Sequence, residues 1–99
     1  MRDGVIHLVA RLMPQPGKAD ELAAAIAAIL PEVRQEPGCL AYFAHESLEE
    51  LGTIVMVEAW ADQAALDAHG RAPAFTGLAR RFNMLLAKPP VLERLRRIG

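Results

Sequence analysis

Two short runs of this chain, Val5–Met13 and Thr53–Trp60, place apolar side chains in both phases of a strand's two-residue alternation. In the first, Ile6, Leu8, Ala10 and Leu12 fall on one face, with Val5, His7, Val9, Arg11 and Met13 on the other. In the second, Ile54, Met56, Glu58 and Trp60 share a face opposite Val55, Val57 and Ala59. A strand with one wet face alternates apolar with polar, so these strands predict a sheet covered on both sides. At 99 residues the chain is one domain, spanning 1–99, and a domain of that size buries a limited share of its own surface. Yet 53% of its residues are hydrophobic. Either the core is unusually dense or a partner covers part of the apolar surface.

Between and after these runs the periodicity changes. From about Lys18 to Gln35, Leu22, Ile26, Ile29, Leu30 and Val33 recur at helical spacing. Asp20 and Glu21 suit the start of that helix and Arg34 its end. Pro31 has no N–H and crowds the carbonyl of Ala27, which predicts a kink or a second short helix. Glu36-Pro37-Gly38 closes the element. Cys39–Glu46 reads as a strand with Leu40 and Tyr42 on one face and Ala41, Phe43 and His45 on the other. The polar stretch Ser47–Gly52 then makes a hairpin loop. Asp62 is a suitable N-cap for a short helix through Ala65, Leu66 and His69, interrupted at Gly70 and Pro73. A further helix, Pro73–Ala87, carries Phe75, Leu78, Phe82 and Leu85 on one stripe, and Val91–Ile98 is the last strand. The order is βαββαβ, an α+β fold of split βαβ, ferredoxin-like plan with an antiparallel sheet. Its helices cover one face, so the other is expected to meet a second copy in a homodimer.

A formal net charge of −1 gives no field favouring nucleic acid or an anionic membrane. The basic group Arg94, Arg96 and Arg97 reads as a solvated strand edge. With Cys39 as the single cysteine, no intramolecular disulfide and no cysteine zinc cage can form. His7, His45 and His69 sit on separate elements without paired-ligand spacing, and no glycine-rich phosphate loop is present, so neither metal nor nucleotide is expected. No signal-peptide pattern opens the chain and no run is long enough to span a bilayer, which places the protein in the cytoplasm as an expectation.

Several segments together resemble the antibiotic biosynthesis monooxygenase family. They are Arg11-Leu12, Pro16-Gly17-Lys18, Glu36-Pro37-Gly38-Cys39 with Tyr42, Glu58-Ala59-Trp60, Ala65-Leu66-Asp67-Ala68-His69 and Pro73-Ala74-Phe75. The resemblance implies a dimeric α/β barrel with a cavity between sheet and helices in each subunit. It implies one of several activities, since the fold alone does not choose among them. Haem-degrading relatives use an asparagine, a tryptophan and a histidine at places held here by Ala10, His69 and Ala79, so haem chemistry is not expected. The cofactor-free branch, which oxidises quinol-type aromatics with molecular oxygen, is matched by Trp60, His45 and Arg80. Its asparagine, tyrosine and second histidine are replaced by Met56, Leu66 and Ala74. The resemblance thus implies an enzyme without cofactor acting on a small aromatic or quinol-type substrate. Two alternatives stand beside it: a non-catalytic dimer that holds a small hydrophobic ligand, and an isomerase of a small phosphorylated metabolite.

Such an oxygenation needs a base or anion-stabilising donor in a dry cavity. Histidine is the side chain whose ordinary range suits the base, so His69 and His45 are candidates. Trp60 offers an indole N–H and Arg80 a guanidinium for a phenolate. The expected wall of the cavity is Trp60 and His69 with Phe75, Leu78 and Phe82; Tyr42, Met56 and Glu58 complete the candidate binding residues. Glu58 lies among apolar neighbours. Buried, it should be charged and paired with Arg11 or an arginine of the partner, or else serve as a base with a raised pKa.

Overall fold

The computed structural model describes residues 4–99, so the domain expected over 1–99 is seen from residue 4 onward. Four strands are joined by helices: β1 (Ile6–Leu12), α1 (Ala19–Arg34), β2 (Cys39–Glu46), β3 (Ile54–Trp60), α2 (Gln63–Arg71), α3 (Pro73–Ala79), α4 (Phe82–Leu85) and β4 (Val91–Leu95). The sheet order is β2-β3-β1-β4, with every neighbouring pair antiparallel. This is the split βαβ, ferredoxin-like plan that the strand and helix periods predict. Among the described residues no helix is long and apolar enough to cross a membrane.

The two-residue alternation decides which side chains meet the helices. Leu8, Ala10 and Leu12 of β1, with Ile54, Met56, Glu58 and Trp60 of β3, face inward and are buried. Ala10, Leu12, Ile54, Met56 and Trp60 share one core with the stripe of α1 formed by Leu22, Ala25, Ile26 and Val33. Pro31 does not break α1. Pro31 and Ala27 both lie on the exposed side, so the carbonyl that loses its N–H partner is turned toward water, where solvent can satisfy it.

The structure departs from the sequence expectation at four places. Gly70 does not interrupt α2, which runs through it to Arg71. A β-bulge between Cys39 and Ala41 sets two residues of β2 against one step of β3. Leu40 is the extra residue and is 59% exposed, so it does not share a face with the buried Tyr42. The Pro73–Ala87 segment is two helices because its end is drawn onto the end of β1. Gln15 N–H donates to the Leu85 carbonyl and Ala87 N–H to that of Met13, and the Gln15 amide donates to the carbonyls of Asn83 and Leu86. Finally, β4 stops at Leu95, opposite His7. Its partner β1 begins one residue earlier, at Ile6.

Gly38 stands where the chain turns from α1 into β2, at φ +82°. A Cβ there would come within 2.5 Å of the Ala65 Cβ on α2. Gly38→Ala combines left-handed strain with overpacking and should lower unfolding free energy by about 2–4 kcal/mol. Urea denaturation checks this; an unchanged midpoint would show that the contact yields freely.

Candidate active site

Between the inner face of the sheet and α2–α4 lies a cavity of about 570 Å³. Leu8, Ala10 and Leu12 floor it from β1, Ile26 closes it from α1, and Phe75, Leu78 and Phe82 roof it. Volume and lining suit a small aromatic molecule. All six expected binding residues, Tyr42, Met56, Glu58, Phe75, Leu78 and Phe82, line it.

His69 lines the cavity and is buried. Asp62 starts its helix by accepting the Ala65 N–H at 2.8 Å, and His69 comes at the far end, turned inward. Its Nδ1–H donates to Glu36 Oε1 at 2.8 Å. A neutral ring that donates from Nδ1 carries its lone pair on Nε2, which has no hydrogen-bond partner among the described residues. Glu36 belongs to the Glu36-Pro37-Gly38 turn, and its Oε2 is buried without a partner. This carboxylate fixes the imidazole and would balance positive charge arriving on it. Tyr42 and Phe75 meet the ring at centroid distances of 5.4 and 5.2 Å, which fixes its orientation further.

Trp60 does not wall the cavity. It is fully buried and stacks on the imidazole at 4.6 Å, so His69 stands between it and the space. Its Nε1–H donates to Glu58 Oε1 at 3.0 Å. The indole N–H is therefore spent on the protein rather than left for a substrate oxygen.

Glu58 is 4% exposed and is not paired with a cation among the described residues. Arg11 lies in the opposite phase of β1, where its Nη2 donates to Glu50 at 2.7 Å. Within the chain the indole stands where Arg11 was expected, and a neutral donor does not offset burial. Desolvation pushes the Glu58 carboxyl up to about 7, the Trp60 hydrogen bond opposing and Glu36 reinforcing the rise. Tyr42, opposite Glu58 in the β2–β3 ladder, is held protonated by burial and by the neighbouring carboxylates. Burial likewise pushes the Cys39 thiol up, away from thiolate reactivity.

The structure does not bring His45 or Arg80 to the site. His45 lies in the outward phase of β2 and its Nδ1–H donates to the Val55 carbonyl at 3.2 Å. Arg80 is an exposed residue at the end of α3. It comes two positions after Leu78, about 200° round a helix from the side that meets the cavity. The site also contains polar residues not anticipated: Glu36 beside His69, and Gln63, Asp67, Arg71 and Arg94 toward the opening. Arg94 was legible in principle, because it alternates with Leu92 on a strand that supplies both to the cavity.

With this geometry in place, comparison with known proteins decides the family. The sequence model of the family described as antibiotic biosynthesis monooxygenase matches residues 5–81. The chain belongs to the antibiotic biosynthesis monooxygenase family. A Mycobacterium tuberculosis protein named "Putative monooxygenase Rv0793" is 31% identical over 84 residues, covering 85% of this chain and 82% of that protein. The solved structure of Rv0793 superposes with a TM-score of 0.89 at 28% identity, over 96% of each chain. The structure of PA3566 from Pseudomonas aeruginosa gives 0.92 at 28% identity, covering 100% of this chain and 99% of that one. An uncharacterised Synechocystis protein, sll1783, is 32% identical over 91 residues; the chain covers 62% of its length. The family match ends at Arg81, so it takes in His69, Glu36, Glu58 and Phe75 but not Arg94.

Proposed function

We propose that this antibiotic biosynthesis monooxygenase family member is a cofactor-independent monooxygenase of a small aromatic or quinol-type substrate. The observation that carries the reading is a histidine held by a carboxylate, with its second nitrogen available, beside an apolar cavity. His69 Nε2 removes a proton from an acidic hydroxyl or ring CH₂ group, and Glu36 stabilises the imidazolium. The resulting carbanion passes one electron to O₂, and the radical pair joins as a C–O bond. The peroxide recovers the proton from His69. Loss of the remaining C–H proton with O–O cleavage then leaves a carbonyl and one water. The substrate supplies all four electrons that reduce O₂, from its CH₂ group in an anthrone or from a ring C–H and its hydroxyls in a quinol, so the balance needs no external reductant. Glu58, titrating near 7 within the cavity, is suited to relay the second proton. Apolar walls exclude the water that would compete for the anion.

An oxygen electrode with a panel of anthrone- and quinol-type compounds, without added metal or cofactor, tests the reading. Uptake with one labelled atom from ¹⁸O₂ in the product is expected. Saturable binding of these compounds without oxygen uptake would replace the enzyme with the ligand-binding alternative.

The reading includes a homodimer joined through the outer faces of two sheets. Phe43, Val57 and Val9 form a row across β2, β3 and β1, and Phe43 and Val57 are 52% and 44% exposed. Apolar rows of this kind on an uncovered sheet are costly in water. Sedimentation equilibrium at micromolar concentration should give twice the monomer mass, and Phe43→Glu with Val57→Glu should give the monomer. A soluble wild-type monomer under those conditions would exclude the dimer.

A further inference from the structure

The cavity's opening differs from its interior. The interior is apolar apart from Tyr42, Glu58 and His69, whereas Arg71, at the end of α2, and Arg94, on β4, line the cavity as exposed residues on its solvent side. Neither guanidinium is in an ion pair among the described residues. Arg94 Nη1 donates instead to the neutral amide oxygen of Gln63 at 2.7 Å. Gln63 is fixed in that sense because its Nε2 donates to Asp67 Oδ1 at 2.9 Å. Among the described residues Asp67 is the one acidic side chain lining the opening, and it is occupied by an amide rather than by an arginine. Two guanidinium groups from different elements therefore retain their charge where a ligand enters.

From this arrangement we infer that the cavity takes an amphipathic anion: an apolar, ring-bearing body inside, and a carboxylate or phosphate group held by Arg71 and Arg94 at the opening. Guanidinium groups bind both anions through paired hydrogen bonds, and the two share the planar or tetrahedral oxygen array the fork fits. The opposite orientation is unfavourable. It would bring the anion against the Glu58 carboxyl among apolar walls, with no cation lining the interior among the described residues. Charge thus sets which end of the ligand faces His69. The inference rests on the proposed cavity as the substrate site and narrows the substrate class to acids or phosphate esters of small aromatics.

Isothermal titration calorimetry at low ionic strength with 2-naphthoate, 2-naphthyl phosphate and naphthalene-2-carboxamide tests it. At least one anion should bind about tenfold or more tightly than the amide, the gain expected of one to two charge-assisted contacts. Which anion is preferred separates carboxylate from phosphate ligands. Arg71→Gln with Arg94→Gln should bring both anions to the affinity of the amide while leaving the amide unchanged; the lysine pair should keep part of the preference. Equal binding of all three compounds, no binding of either anion, or a preference that survives the double glutamine variant would overturn the inference. These results are independent of turnover. Anion preference without oxygen uptake removes the oxygenase and keeps the inference, while uptake without anion preference does the reverse.

Discussion

Replacing His69 with glutamine should lower the rate of oxygen uptake by about 10²–10⁴-fold, the usual contribution of a positioned general base. Glutamine is the informative choice. Alanine would open a void beside Trp60 and leave the buried Glu36 without its donor, whereas an amide can still offer an N–H to Glu36 Oε1 but cannot accept a proton at neutral pH. Loss of activity with an intact circular dichroism spectrum therefore reports on the base and not on packing. Glu36→Gln provides the second arm. As a positioning residue it touches no substrate, so its loss should be smaller and should appear with a changed pH–rate profile, because the imidazolium loses its counter-charge. A rate that His69→Gln leaves untouched would remove His69 from the chemistry whatever the substrate.

Glu58→Gln should make the protein more stable at pH 8, the reverse of what a salt-bridged carboxylate would give. The folded carboxyl titrates near 7, above its ordinary 4.5. Between these values the folded state binds more protons than the unfolded state. The stabilisation is complete below the lower value and is lost as pH rises through 7. The difference corresponds to about 3 kcal/mol. A glutamine side chain keeps an oxygen for the Trp60 N–H and has no charge to bury. Urea unfolding should show a wild type that loses stability between about pH 5 and pH 8 and a variant with a nearly flat profile there. A variant less stable than wild type at pH 8 would mean that the carboxylate is compensated, for instance by a cation from a second copy.

Much of this architecture was legible because period and punctuation agree. The alternation of Ile54, Met56, Glu58 and Trp60 gives the inner face of β3, and the stripe from Leu22 to Val33 gives the buried side of α1. Illegible parts were those set by contacts distant in sequence. The bulge at Leu40 depends on its pairing with β3, and the division of the last helical segment on bonds from Gln15, about 70 positions away. The same holds in the site. His69 and the aromatic stripe follow from local spacing, but Glu36 reaches His69 across 33 positions, and its own neighbourhood marks only a helix end and a family segment. Arg80 and His45 rest on resemblance and residue type, and their phase on helix and strand turns them away from the cavity. Pro31 shows the limit of a local rule: its cost is real, but it falls on a face where water can meet it.

Trp60 is the single tryptophan of the chain, and its indole is in ring contact with His69 and hydrogen-bonded to Glu58. All long-wavelength ultraviolet emission of the protein thus originates from one fluorophore inside the charge-handling core. Its quantum yield and emission maximum will follow the ionisation of Glu58, because the carboxylate places a full negative charge beside the indole N–H. The protein carries its own optical indicator of cavity protonation, legible without a dye, a label or turnover.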